Sequence, residues 1–461
     1  MRWILFVTTS LIASLGFAQL TTTIASRAES VNQTIASDVL KVMGGCSERL
    51  WPGYDWNDLT LLLVADNPEK SLIVSVRDSR VQQLGKRLVN PSAFSSEFSF
   101  FEIDGSRWMS INTAAAVTLM SHRSDGEIAE DQFRLAVHEA FHNLIQPSWV
   151  KSEGMRGTEL PILSEPRLLR SQLFHNLKDA FLNSKDAISL RRAKFWYQRW
   201  ASTYTSELQG TTDGYEGSAK YVELLATALM KQSCDASDEE VLEAVKEKVR
   251  TEFGKVFDAK AFVLDAEGYE IGALGLFLAA QKNSSPDRYG KIAAGENPIL
   301  IATSHVAPLR ESISESVTKK FASRAVALQE DADSLVGRTL AMLNRVDHFV
   351  ISIPQNWISG SVAPAGFFID RASSSLLIPM AAPLRFTEPS GSSELSANKG
   401  AVVVNPGTIS PCGQRSPWNY IAVGSIEVGA KSYSASTPDF NAALDGTAKV
   451  ADGVTWFCAG E

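Results

Sequence analysis

Ala136-Val137-His138-Glu139-Ala140-Phe141-His142-Asn143-Leu144-Ile145-Gln146-Pro147 is the stretch on which this chain turns. From Gly126 onward, Ile128, Phe133, Val137, Phe141, Leu144 and Ile145 recur at helical spacing, and Pro147 closes the run. Within that helix His138 and His142 stand four residues apart. They share one face, so both imidazoles can reach a single ion. Glu139 comes from the same turn and can hold a water molecule there. This is the HExxH pattern of zinc-binding helices. The chain has only 6 histidines in 461 residues, and a chance match at that usage is about one in two hundred. The plain alternative is a pair of half-buried histidines on a core helix.

Catalytic zinc takes three protein ligands and keeps a position open. In the HExxHxxGxxH version of the pattern, the glycine slot is Ile145 and the last histidine slot is Ser148, which excludes that subclass. A later segment, Tyr215-Glu216-Gly217-Ser218-Ala219-Lys220-Tyr221-Val222-Glu223, opens an apolar helix running through Met230. It resembles the NEGxAxYxE segment of gluzincin metallopeptidases of the aminopeptidase type. On that resemblance Glu216 is the third zinc ligand. Position 215 is Tyr where the family has Asn, and the interval 216 − 142 = 74 is far longer than the family's. The resemblance therefore implies a helical insertion over about 147–205, with helices from Pro166 to Phe181 and from Leu190 to Tyr204. Glu223 is the main rival as third ligand. It lies on the same helix face but about 10 Å further along the axis, so it cannot share an ion with Glu216. Asp213, in Gly210-Thr211-Thr212-Asp213, and His175 are weaker rivals.

Two further segments extend the resemblance over roughly residues 100–285. Tyr269-Glu270-Ile271-Gly272-Ala273, read as opening the helix Leu274–Ala280, is similar to the YxKG stretch whose tyrosine hydrogen-bonds a developing oxyanion. The family's lysine is Ile271 here. Trp108-Met109-Ser110-Ile111-Asn112 stands where gluzincins carry an edge strand that pairs with an extended substrate. That assigns Ser110, Ile111 and Asn112 to substrate binding. The exopeptidase GxMEN segment is absent, so aminopeptidase activity does not follow. The implied chemistry is hydrolysis of peptide bonds at Zn²⁺ held by His138, His142 and Glu216, with Glu139 as general base and Tyr269 at the oxyanion.

Outward from these motifs, the expected fold is α+β. A zincin-like catalytic domain over 19–349 has a small N-terminal sheet, the active-site helix and a helical second half. Leu59–Val64 and Ser71–Val76 read as two strands about the turn Asp66-Asn67-Pro68. Beyond about 350, Pro, Gly and Ser become frequent between short apolar runs such as Ala401-Val402-Val403-Val404, so 350–461 reads as a small all-β domain.

The first eighteen residues read as a signal peptide. Arg2 is the only charge before Arg27, Trp3 to Phe17 is apolar and small, and Gly16-Phe17-Ala18 offers a cleavage site. The mature protein is expected to be exported, periplasmic or secreted, without stable membrane insertion. Four cysteines in an oxidising compartment favour two disulfides. Of the three pairings, Cys46–Cys234 and Cys412–Cys458 are expected. A net charge of −8 with no basic run argues against nucleic acid. Arg191-Arg192-Ala193-Lys194-Phe195-Trp196 mixes bases with aromatics but reads as an amphipathic helix. The expected partner is a peptide or protein substrate. Two competing functions remain: a catalytically inactive zincin-fold binding protein, and carbohydrate or cell-surface binding through Trp418, Tyr420, Tyr433 and Trp456 of the C-terminal part.

Overall fold

The protein is described from a computed structural model that covers residues 26–86, 97–103, 105–150, 158–159, 161–183, 186–258, 262, 264–281, 287–343 and the strands and short segments between 348 and 460. The expected signal peptide lies outside the described residues. Its contacts divide the chain into two compact units, Met1–Pro147 with Val222–Glu243, and Ser148–Tyr221 with Ala244–Glu461.

The first unit holds a five-stranded sheet in the order β3-β2-β1-β5-β4. β1 (Thr60–Leu63) and β2 (Leu72–Ser75) form the expected antiparallel pair, and β3 (Arg80–Gln83) extends it. β5 (Ser106–Ile111) runs parallel to β1 and antiparallel to β4 (Phe98–Ile103). Leu61, Leu62 and Leu63 are all fully buried. A strand that is apolar at consecutive positions has both faces covered, and β1 sits in the middle of the sheet accordingly.

The histidine-bearing helix is Asp125–Leu144. Its start is set by a capping box: Ser124 accepts from the Glu127 amide while Glu127 reaches back to the Ser124 amide. Its apolar stripe includes Ile128, Phe133, Val137 and Phe141, all fully buried. Phe141 meets Trp51 edge-on at 4.9 Å and lies 6.4 Å from Trp56. Within the same unit a disulfide joins Cys46 to Cys234.

The second unit is built on long helices, Ser164–Leu182, Ala187–Thr203 and Leu264–Gln281, with Glu315–Leu343 as the longest. The first two match the helices read from sequence in the insertion. The third begins well before Leu274, so Tyr269 lies inside it instead of opening it. The physical reason is packing. At Gly268, Gly272 and Gly275 this helix comes close to other backbone.

The described residues between 348 and 460 lie largely in strands. Thr158–Glu159 pairs in parallel with Phe368–Asp370, so a segment of the insertion and a C-terminal segment share a sheet. A larger sheet contains His348–Ile353 flanked by Trp418–Val423 and Val454–Ala459. The second disulfide, Cys412–Cys458, packs with Val350 and Trp456. Both pairings are the expected ones. Among the described residues no helix is long and apolar enough to cross a membrane. The fold is thus α+β with two disulfides.

Candidate metal centre

His138 is buried and His142 half-buried on the helix Asp125–Leu144. Their Nε2 atoms lie 3.0 Å apart. Two imidazoles bound to one tetrahedral ion at about 2.0–2.1 Å would hold these atoms roughly 3.3 Å apart, so the rings already converge on a common point. The other nitrogen of each ring faces a side-chain oxygen. His138 Nδ1 is 3.3 Å from Glu223 Oε2, and His142 Nδ1 is hydrogen-bonded to Gln146 Oε1. An acceptor at Nδ1 selects the tautomer whose Nε2 carries the free lone pair, which is the form a metal needs.

Glu216 completes the group. One ligand atom from each of His138, His142 and Glu216 lies within 4.8 Å of the other two. Glu216 is 1% exposed, near the start of the helix Tyr215–Lys231. Two nitrogens and one carboxylate oxygen, converging and buried, form a set that can hold a metal ion. Three donors leave room for a further ligand.

Glu223 therefore plays a different part from Glu216. Besides facing His138 Nδ1, it accepts from Arg134 Nε at 2.7 Å. It lies beside His138, and the group that could hold an ion is His138, His142 and Glu216. Spacing alone could have suggested this, since seven residues separate the two glutamates along one helix. Gln146 was missed entirely, although it stands four residues after His142 and hence one turn away.

The start of the Glu216 helix is fixed by buried charges of the second unit. Asp213 is fully buried and bound through both carboxylate oxygens to Arg170, at 2.6 and 2.8 Å. Asn297 adds a bond to Asp213 at 3.2 Å. Burial alone would lower the Arg170 pKa, but the Asp213 carboxylate outweighs it and holds the guanidinium above its ordinary value. Arg170 also lies 4.6 Å over the Trp200 ring. Arg167 bridges Glu207 and Glu267, and burial pushes the Glu267 carboxyl up. Asp213 is thus spent on Arg170, and His175 packs beside Phe174 and Phe257. Neither belongs to the metal group.

The glycines of the two later motifs explain each other. A Cβ on Gly217 would sit 2.4 Å from the Cα of Gly272, and one on Gly272 would sit 1.9 Å from the Asp213 carbonyl oxygen. Only glycine permits this backbone approach. Tyr269, half-buried, stands three residues before that crossing, and Glu216 stands next to it. Glu139 is half-buried on the histidine helix.

One strand expected at a sheet edge lies inside the sheet. Ser110, Ile111 and Asn112 were assigned to an edge strand that pairs with substrate, but β5 has β1 on one side and β4 on the other. Its backbone bonds are used within the sheet. Ser110 and Ile111 are fully buried, and the Asn112 side chain caps the following helix at Ala115. In the C-terminal part, Trp456 is a core residue and Tyr433 lies 6.1 Å from Phe457; the side chains of Trp418 and Tyr420 lie outside the described residues.

Comparison of the chain with protein families, with characterised proteins and with solved structures returns no match.

Proposed function

We propose that this protein is an exported zinc-dependent peptidase of gluzincin type. The observation that carries the proposal is the convergence of His138 Nε2, His142 Nε2 and Glu216, with Gln146 Oε1 bonded at His142 Nδ1 and the Glu223 carboxylate 3.3 Å from His138 Nδ1. The donor set of two imidazoles and one carboxylate suits zinc, and the disulfides suit an oxidising compartment. When bound, zinc would polarise a carbonyl and make water acidic enough to attack near neutral pH.

The chain's own residues do the rest. Glu139 takes a proton from the attacking water at its carboxylate and passes it to the leaving amine, so one C–O bond forms as the C–N bond breaks. Tyr269 donates its phenolic hydrogen to the oxygen on which negative charge develops, a role worth about 3 kcal/mol in comparable sites. Gln146 holds the His142 imidazole in the ligating tautomer, and the negative charge of Glu223 beside His138 Nδ1 favours the same tautomer there.

Glu139→Gln tests this directly. The variant should keep its metal and lose peptide hydrolysis by roughly a hundredfold to ten-thousandfold. Hydrolysis at the wild-type rate would remove Glu139 from the mechanism. Metal retained with no hydrolysis even in the wild type would favour a binding protein instead.

A further inference from the structure

A cavity of about 390 Å³ opens in the second unit. Among the described residues its lining includes none of His138, Glu139, His142, Glu216 and Tyr269, so its chemistry is that of its own walls. These draw on Tyr197 and on the stretches 149–150, 208–215 and 292–300. Tyr197 and Ile292, 3% and 2% exposed, form the buried wall, whereas Gln209 and Leu300 are exposed and mark the mouth.

The deciding group is the Tyr197 hydroxyl. The residue is almost wholly buried, yet this hydroxyl has no hydrogen-bond partner among the described residues. Its oxygen is not sealed from solvent, so it opens into the cavity that the side chain lines. Burial, and then the Asp213 carboxylate, push its pKa up. The phenol therefore stays protonated and has a hydrogen to give. An occupant that offers it an oxygen lone pair relieves the cost of a buried donor left unpaired.

The other polar groups are mostly neutral and of both kinds. Thr211 Oγ1 accepts from the Asp213 amide at 3.4 Å and keeps its own hydrogen to donate. The Gln209 carboxamide has no partner among the described residues and offers both a donor and an acceptor. Asn297 is engaged by Asp213 and by the Ile299 amide. Glu296 is the one charged side chain in the described lining, and Lys291 lies 3.9 Å from it.

These walls disfavour the simpler occupants. An anion would meet a carboxylate and no Lys or Arg in the described lining. An ammonium group has no lone pair for the Tyr197 hydrogen. A hydrocarbon would leave Tyr197, Thr211 and Gln209 unpaired. A neutral ring with several hydroxyls serves donors and acceptors alike, and its C–H faces pack on aromatic rings such as Trp149, Tyr197 and Tyr215 of the wall. The volume falls within the roughly 300–1,000 Å³ of small-molecule sites.

We infer that this cavity binds a neutral polyhydroxylated ring, the chemistry of a sugar, with the Tyr197 hydroxyl donating to one of its oxygens. The inference is independent of the peptidase reading.

The probes are methyl β-glucopyranoside, methyl β-galactopyranoside and N-acetylglucosamine, with glucuronate and glucosamine as anionic and cationic ring controls. Binding to the full-length protein is followed by saturation-transfer NMR and titration calorimetry in wild type, Tyr197→Phe and Gln209→Ala. Phenylalanine keeps the buried ring and removes only a hydroxyl without a protein partner, and Gln209 is exposed. Both variants should therefore show the wild-type circular dichroism. At least one neutral ring should bind wild type, and more tightly than either charged control. Its affinity should fall about five- to hundredfold in Tyr197→Phe, where a ligand oxygen loses its donor, and by less in Gln209→Ala. Binding of no neutral ring, tighter binding of a charged control, or unchanged affinity in Tyr197→Phe overturns the inference. Peptide hydrolysis is measured separately: ring binding with no cleavage leaves this inference standing and removes the peptidase, and cleavage with no ring binding does the reverse.

Discussion

Replacing Gly272 with alanine would put a methyl group 1.9 Å from the Asp213 carbonyl oxygen and 2.8 Å from the Gly217 Cα. Real Cβ atoms do not approach other atoms within 3.0 Å, so the shortfall is 3.0 − 1.9 = 1.1 Å. Both colliding groups are backbone, and no side chain can rotate away. The helix Leu264–Gln281 must therefore draw back by about that distance, or the turn carrying Asp213 must move. Overpacking of a dense core costs typically 1–3 kcal/mol, and a rigid collision belongs at the upper end or beyond. Alanine returns about 1 kcal/mol through helix propensity. The expected net loss is at least about 2 kcal/mol. Gly217→Ala, with a shortfall of 3.0 − 2.4 = 0.6 Å, should lose less. Gly126→Ala is the control: nothing lies within 4 Å of its Cβ, and stability should hold or rise slightly. Urea unfolding of the three variants reads these differences, and metal affinity reads the displacement of Glu216. A Gly272→Ala protein as stable as wild type would refute the close crossing of the two helices.

Other consequences are equally open to measurement. Glu223→Gln keeps the size of the side chain but removes the negative charge 3.3 Å from His138 Nδ1, so affinity for zinc should fall by roughly 10- to 100-fold with unchanged stoichiometry; a competition titration against a chromophoric chelator decides, and unchanged affinity would contradict the role given to Glu223. Burial pushes the Glu270 carboxyl from 4.5 up to about 7. A raised carboxyl favours the folded state below its unfolded value and loses that contribution as pH rises through about 7, an upper bound of about 3 kcal/mol. Glu270→Gln retains an acceptor for the Gly254 amide, so its stability should match wild type near about pH 4 and exceed it near about pH 8. Equal urea midpoints at both values would show that Glu270 titrates normally.

Much of this was legible from periodicity and spacing. The histidine helix announces itself by its apolar stripe, and four-residue spacing places His138 and His142 on one face whatever the rest of the fold does. The β1–β2 pair follows from two apolar runs about a turn, and two disulfides follow from an even count of cysteines in a chain expected to be exported, though the count alone leaves three pairings. What sequence hides is pairing in three dimensions. Nothing in Trp108–Asn112 says that β4 will cover its far side, and so the expected edge strand is an inner one. Gly268, Gly272 and Gly275 look like interruptions until the backbone they touch is known. Arg170 and Asp213 lie 43 residues apart, and their pairing follows from tertiary structure alone. The pairing of Thr158–Glu159 with Phe368–Asp370 is likewise hidden in the sequence.

The central claim is that His138, His142 and Glu216 hold one zinc ion. Metal analysis of the mature protein, wild type beside Glu216→Ala and Glu223→Ala, tests it most directly. The account predicts one zinc per chain in wild type, loss of that zinc in Glu216→Ala, and its retention at full loading with lower affinity in Glu223→Ala. Wild-type protein refolded with zinc that carries none, or zinc kept by Glu216→Ala and lost by Glu223→Ala, would contradict it.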